Sequence, residues 1–354
     1  MRAKTLLSAV AIATMLLLGA CGGGNGDAEP PYDWSALSTT LDGFVGDGDS
    51  QVKGYNFALA VGGHLRYSRA GGDMAADAVI PIASASKAPS ATVILSLVKD
   101  GVLDLDTPVA DYIGDVIDWP LAKSDITLRM LLNHTSGLPF STPCMDNDNT
   151  TLQDCTQEIA NATLNSLPGR RFGYSGAGYQ VAGFVAAHVS GKSWQTLVQE
   201  RLAGPLGMST LSYGDTQNPR IGGGAVASAT DYLKFAQLYL NGGKVGNTQI
   251  ISSAQVETAK TSQVQGLPVY YTPVPDGSGL NGYSFGWWIS DAAEHPGSAG
   301  PELSDPGLLG TTPWLDFDQR YAAVVLITST TDNGVAIWHA VRPDILAQLN
   351  PAQP

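Results

Sequence analysis

The segment Lys87–Lys99 carries Ala, Val, Ile and Leu at helical spacing, and Asp100-Gly101 supplies its stop. The same reading predicts helices over 34–44, 126–133, 179–189, 194–202 and 230–241, and a final one over about 335–349 with Pro343 near a kink. Strand patterns lie outside this block. Residues 57–61 and 64–68 flank Gly62-Gly63 and read as a hairpin. Phe285-Gly286-Trp287-Trp288-Ile289 reads as one strand, and 312–317 with 321–328 as a hairpin around Asp318-Gln319. Strands at both ends and helices between them predict an α+β fold, within the broad α/β class. One antiparallel sheet is built from about 34–83 and 270–350, with a mainly helical region over about 84–269 inserted and a site in the cleft between them. There is no internal repeat.

The first residues follow a different pattern. Arg2 and Lys4 precede an apolar run of signal-peptide length, too short to span a bilayer, that ends Leu18-Gly19-Ala20-Cys21. This resembles the lipobox of bacterial lipoprotein signals, in which the cysteine is lipidated. The simpler alternative is an ordinary signal cut near Ala20. The expected organisation is a signal over 1–20, a Gly- and Pro-containing tether over 21–33 and one domain over 34–350. The mature chain is then exported and lipid-anchored to the cell envelope through Cys21, at the outer membrane where there is one. Cys144 and Cys155 have ten residues between them. In an exported chain they are expected to form a disulfide, worth roughly 3 kcal/mol on the chain-entropy model.

Composition narrows the function. The 354 residues are 44% hydrophobic, enough for a large core. Lys+Arg 19 against Asp+Glu 32 gives −13, and removal of Arg2 and Lys4 leaves 17 against 32, or −15. Such an acidic chain is a poor partner for nucleic acid. No zinc-type Cys/His spacing and no nucleotide fingerprint is present, so neither metal nor cofactor is implied.

Ser84-Ala85-Ser86-Lys87 opens the 87–99 helix. Serine and lysine three apart share a helix face, and a serine at a helix start has a free peptide N–H. Lysine, with a pKa of ~10.4, becomes a usable base at neutral pH only if its surroundings lower that value by about 3 units. Alone, the tetrapeptide reads more readily as an N-cap followed by a solvated lysine.

Other segments change that balance. Ile126-Thr127-Leu128-Arg129-Met130-Leu131-Leu132-Asn133-His134-Thr135-Ser136-Gly137-Leu138-Pro139 is followed in order by Pro168-Gly169, Phe172-Gly173-Tyr174-Ser175, Pro205-Leu206-Gly207-Met208 and Gly222-Gly223-Gly224. Ser228-Ala229-Thr230-Asp231-Tyr232, Tyr283–Ile289 and Pro313-Trp314-Leu315-Asp316 come next. This set resembles the serine β-lactamase and penicillin-binding-protein superfamily, class C branch, over about 35–330. The resemblance implies an antiparallel sheet beside a helical domain. It implies Ser84 as the acylated nucleophile, Lys87 as its base and Tyr174 as the proton shuttle. For the third motif, Lys/His-x-Gly, it points to His295-Pro296-Gly297, with the Ser298 N–H as second oxyanion donor beside that of Ser84. His134 is expected to pack a helix end.

Two departures bear on substrate. The β-lactamase Tyr-x-Asn is here Tyr174-Ser175-Gly176, and histidine stands for the penicillin-binding lysine. Both weaken recognition of an acylamino carboxylate. An esterase-like serine hydrolase on small-molecule, peptide or ester substrates is therefore expected, with β-lactamase or D-alanyl-D-alanine carboxypeptidase/D-amino-acid peptidase activity as the alternative. Two rivals remain. One is an α/β-hydrolase using Ser175 in the near-elbow Gly173-Tyr174-Ser175-Gly176-Ala177; the other is a non-catalytic, surface-anchored binding protein on the same scaffold.

Overall fold

In the computed structural model, which describes residues 32–46, 52–290, 293 and 295–350, the strand-forming ends of the chain converge on one sheet. Trp34–Pro354 forms one unit, and of the N-terminal unit Met1–Asp33 only Tyr32 and Asp33 are described. The signal-like segment and Cys21 thus lie outside the described residues. No described helix is long and apolar enough to cross a membrane.

Five helices frame the site: α1 (Ser35–Gly43), α2 (Lys87–Lys99), α3 (Gly176–Ser190), α4 (Ala229–Leu240) and α5 (Thr331–Leu349). The sheet takes β1 (Gly54–Val61) and β2 (His64–Gly72) from the N-terminal side. From the C-terminal side it takes β3 (Gly282–Ser284), β4 (Trp287–Ser290), β5 (Glu302–Ser304), β6 (Thr312–Asp316) and β7 (Tyr321–Ile327). Its order is β2-β1-β7-β6-β5-β4-β3, with every pair antiparallel.

β1 and β7 are buried along their whole length, with Tyr55 opposite Ile327 and Val61 opposite Tyr321. The period-2 alternation explains this, because both faces of the sheet are covered. Ala58, Ala60, Ala322 and Val324 join the core cluster that contains Tyr232 and Phe235 of α4. On the other face Phe57 lies 6.1 Å from Trp314, which lies 5.9 Å from Trp338 of α5. α2 is buried from Lys87 to Leu97, so it runs through the interior. Its hydroxyls are paired there: Ser90 Oγ donates to the Ile221 carbonyl at 2.7 Å, and Thr92 Oγ1 lies 2.8 Å from Tyr239 Oη. Pro89 is tolerated because it sits in the first turn, where no helical N–H bond is lost.

Some expected elements shift. Phe285-Gly286 is a turn between β3 and β4, with φ of 46° and 92°, and not part of one strand. The reason is a close approach: a Cβ on Gly286 would stand 2.6 Å from Ala88 Cα. The last helix starts at Thr331, earlier than expected, because Thr330 Oγ1 accepts the Asn333 N–H at 3.3 Å. The helix from Trp194 passes into a π-helical turn at Gln199–Ala203. A disulfide joins Cys144 to Cys155, with Cα atoms 5.2 Å apart.

Candidate active site

The serine sits on a strained turn. A 3-10 turn, Ala83–Ser86, leads directly into α2, and Ala83 holds φ at 48° immediately before Ser84. A non-glycine residue there costs about 1–3 kcal/mol and persists only when its surroundings fix it. Ser86 does the fixing: its Oγ donates to the Ala83 carbonyl at 2.6 Å and accepts the Ala225 N–H at 3.1 Å. Ser86 is fully buried, whereas Ser84 opens into a cleft of about 230 Å³. Among the described residues the Ser84 N–H has no hydrogen-bond partner.

Lys87 is buried and donates from Nζ to Ser84 Oγ at 3.3 Å and to the Gly222 carbonyl at 2.6 Å. Burial lowers its pKa from 10.5 to about 8, the Asp305 carboxyl pulls the other way, and Arg220 adds a smaller lowering. At pH 7.5 roughly a quarter of the amine is then neutral, against roughly one part in a thousand for a free lysine.

Tyr174 closes the cluster. Lys87 Nζ lies 4.6 Å from its ring centroid, and the ring stacks on Trp288 at 5.7 Å. Burial holds the phenol well above pH 10, Asp305 adds to this, and the Ser84 hydroxyl acts in the opposite sense. Tyr174 Oη makes no hydrogen bond among the described residues. His134 sets the ring's position. It lies 4.4 Å from the Tyr174 ring, and its Nδ1 accepts the Ser175 N–H at 3.1 Å. The ring proton is therefore on Nε2, which reaches Tyr283 Oη at 2.9 Å. Burial and the neighbouring Lys87 hold His134 well below 6.5, in its neutral form. Ser175 is the N-cap of α3: its Oγ accepts the Gly178 N–H at 3.2 Å and donates to the Pro139 carbonyl at 2.6 Å. A buried cap with no elbow before it ends the α/β-hydrolase reading.

The expected third segment is elsewhere. His295 Nδ1 pairs with Ser290 Oγ at 2.7 Å, and its Nε2 lies 3.3 Å from His339 Nε2. Arg342 of α5 donates to the His295 carbonyl at 3.0 Å, Gly297 lies against Leu346, and Ser298 Oγ donates to Asp316 at 3.0 Å. These contacts hold His295, Gly297 and Ser298 against α5 and the end of β6, and none of the three lines the Ser84 cleft. Asp305-Pro306-Gly307 stands there instead. Asp305 Oδ2 accepts the Ala88 N–H at 3.0 Å, and Pro306 and Leu308 line the cleft. Gly307 packs so tightly that a Cβ would stand 2.3 Å from the Ile82 carbonyl oxygen. The N–H after this glycine belongs to Leu308. Sequence reasoning missed this tripeptide because it sought a cation before x-Gly.

The cleft wall is apolar, with Phe140, Met145, Tyr271, Pro273, Val274 and Leu308, and Arg220 adds a cation paired with Asp146. Beside Gly176, where a Cβ would stand 2.7 Å from Met145 Cε, the flexible Met145 side chain takes the place next to the missing amide. A larger cavity of about 920 Å³ opens along β3 and β4, but Ser84, Lys87 and Tyr174 do not line it. Among the described residues no group of three or more His, Cys, Asp or Glu could hold a metal.

Fold and site together fit the serine β-lactamase and penicillin-binding-protein superfamily. The Beta-lactamase family model matches residues 38–343, and the chain belongs to that family. Protein flp of Staphylococcus aureus (strain N315) is 30% identical over 141 residues, which are 39% of this chain and only 28% of that relative. Penicillin-binding protein 4 of Amycolatopsis lactamdurans is 26% identical over 265 residues, 64% of this chain and 68% of its own length. A candidate β-lactamase from Bacteroides dorei DSM 17855 superposes with TM-score 0.76 at 26% identity, covering 89% of this chain and 99% of that one. EstCE1, a hydrolase with promiscuous acyltransferase activity, shares the fold at TM-score 0.70 and 21% identity, covering 86% of this chain and 98% of its own.

Proposed function

We propose that the protein hydrolyses small neutral carboxylic esters through an acyl-enzyme on Ser84. The observation that carries this reading is the approach of Lys87 Nζ to Ser84 Oγ at 3.3 Å inside a mostly apolar cleft of about 230 Å³. Lys87 takes the hydroxyl proton as Ser84 Oγ bonds to the ester carbonyl carbon. The oxyanion meets the free N–H of Ser84 and that of Leu308. Tyr174 gives its phenolic proton to the leaving alcohol as the C–O bond breaks and takes the proton held by the Lys87 ammonium in exchange. Water then attacks the acyl group with the same partners and frees the acid.

Substrate size and charge support an ester. The volume lies below the ~300–1,000 Å³ usual for drug-sized ligands. Gly176 offers no side-chain amide and has the apolar end of Met145 next to it, and a carboxyl replaces the cation of the third motif. Loss of each hydrogen bond to a charged group costs ~1.5–3 kcal/mol, or roughly 10- to 150-fold in affinity. The hydrolase and acyltransferase activity named for EstCE1 agrees with this reading, and the ordered motifs support the class C branch. The lipobox-like Leu18-Gly19-Ala20-Cys21, together with a disulfide suited to an oxidising compartment, supports an exported, lipid-anchored chain.

The test is a side-by-side kinetic panel of p-nitrophenyl acetate and butyrate, nitrocefin and a D-Ala-D-Ala peptide, with wild type and Ser84→Ala. Ester turnover lost in Ser84→Ala is expected. Ser84-dependent nitrocefin or peptide hydrolysis above that of the esters would replace this reading with the β-lactamase or peptidase one. No turnover and no fluorophosphonate labelling would favour a binding protein.

A further inference from the structure

We propose that Asp305 is a positioning residue of the serine chemistry: a buried counter-charge to Lys87, built into the contact that holds the nucleophile turn. The proposal rests on the reading of Ser84 and Lys87 given above.

The geometry comes first. Asp305 is fully buried just after β5, and its Oδ2 accepts the N–H of Ala88, the residue next to Lys87. Its Oδ1 has no hydrogen-bond partner among the described residues. Burying a carboxylate with one idle oxygen is costly unless a cation lies near. Lys87 is that cation. It directs its hydrogen bonds to Ser84 and Gly222, and it acts on Asp305 through space. Next in the chain, Pro306 lines the cleft and Gly307 lies against the Ile82 carbonyl. One short segment thus touches both the start of α2 and the turn before Ser84.

Charge inversion gives this contact its meaning. A lysine or histidine at 305 would place a second cation beside Lys87 and drive its proton off. An anion does the reverse: it favours the protonated amine and offsets Arg220 across the cleft. Burial pushes the Asp305 carboxyl up, while the Ala88 N–H and Lys87 hold it down. Burial outweighs these two, so Asp305 binds a proton more readily than a free carboxyl does and competes for one with Lys87; the form that the counter-charge favours is Lys87 ammonium with Asp305 carboxylate. Other ionisable groups surround them. Arg220 faces the pair from the cleft wall, paired with Asp146. His134 is held neutral by burial and Lys87, and burial holds the phenols of Tyr174, Tyr179, Tyr213, Tyr232, Tyr239 and Tyr283 protonated.

Asp305→Asn tests the charge, because its amide oxygen can still accept the Ala88 N–H. The acid limb of kcat/KM on p-nitrophenyl acetate should move down by at least about one pH unit, a tenfold change in the proton affinity of Lys87. KM should stay within about twofold, since Pro306 and Leu308, not residue 305, line the cleft, and kcat should carry the change. Asp305→Ala removes the anchor as well, so its plateau kcat should fall below that of Asp305→Asn with the same shifted limb; if it fails to fold, Asp305→Asn decides alone. The Lys87 pKa is also read directly by NMR of the intact protein carrying ¹³C-labelled lysine, with Lys87→Arg to assign the signal. That readout does not depend on any substrate, so failure of the ester reading in the Ser84→Ala panel stays separable. A Lys87 pKa and acid limb within about 0.2 unit of wild type in Asp305→Asn would overturn the proposal.

Discussion

A methyl group added at Gly307 should separate the two candidates for the third segment. In Gly307→Ala the new Cβ stands 2.3 Å from the Ile82 carbonyl oxygen and 3.4 Å from the Ala85 N. Both obstacles are backbone, so no side chain can swing away. Relief needs the Asp305–Leu308 segment and the Ser84 turn to part by about 1 Å, a displacement of reacting groups that costs on the order of 100-fold in rate. Overpacking should add a loss of ~1–3 kcal/mol, or roughly 3–10 °C in Tm for a domain of this size. Gly297→Ala is the control. Its φ of 96° makes an alanine strained, but the new Cβ meets only the flexible end of Leu346 at 2.9 Å. It should lose a similar amount of stability, about 1–3 kcal/mol, and keep its kcat within about twofold. Steady-state hydrolysis of p-nitrophenyl acetate and a thermal melt measure both variants. If Gly297→Ala lost tenfold or more in kcat while Gly307→Ala stayed near wild type, the assignment of the cleft edge to Asp305-Pro306-Gly307 would be wrong.

Four further outcomes follow from the same geometry. Ser84→Ala should abolish fluorophosphonate labelling and keep a wild-type melt, while Lys87→Ala and Tyr174→Phe each lose at least ~100-fold in kcat/KM; full labelling of Ser84→Ala at another residue would remove the nucleophile assignment. Only the neutral amine accepts the Ser84 proton, so kcat/KM on a neutral ester should climb as pH rises through about 8; a limb near 6.5 would instead report an imidazole. His134→Ala removes the acceptor of the Ser175 N–H and should cost about 1–3 kcal/mol with a fall in kcat, because it frees the Tyr174 segment; unchanged kinetics in a stable variant would deny it that role. Cys144→Ser with Cys155→Ser should lower stability by roughly 3 kcal/mol, seen as a lower urea midpoint, and an unshifted midpoint would leave the bond without structural weight.

How far the residues spoke for themselves depended on how local the determining contacts are. The pattern Lys87–Lys99 marked its helix with the correct ends because apolar spacing and Asp100-Gly101 act within a few residues. Ser84 and Lys87 come together for the same reason: one turn of backbone sets their distance. Tyr174 needed a resemblance, since it lies 87 residues after Lys87 and contacts from distant segments, among them His134, Tyr283, Trp288 and the α3 cap, bring its ring into place. Phe285-Gly286 was read as strand from its apolar run. A bulky residue at positive φ is invisible in a pattern of hydrophobicity, and the demand for it comes from α2, nearly 200 residues earlier.

The third segment shows where residue type misleads. His295-Pro296-Gly297 and Asp305-Pro306-Gly307 share the form x-Pro-Gly, ten residues apart. Histidine fits a site that holds a carboxylate, so side-chain chemistry favours the first. Topology favours the second. Asp305 follows directly from β5, whose pairing with β6 at Ser304 and Trp314 carries the chain to the start of α2. His295 lies in the connection from β4 to β5, where α5 claims it through Arg342 and His339. β5 is only three residues long and has no readable alternation, so nothing in its composition announces that pairing. The backbone of the tripeptide is what the Ser84 turn needs: a glycine without Cβ against Ile82, followed by Leu308 at the cleft edge. Two residues before that glycine stands Asp305, buried next to the start of α2 and, with it, to the buried Lys87. The fold therefore constrains position 307 through sterics, and position 305, whose side chain points away from that contact to the Ala88 N–H, is where the proposed charge on Lys87 would be set.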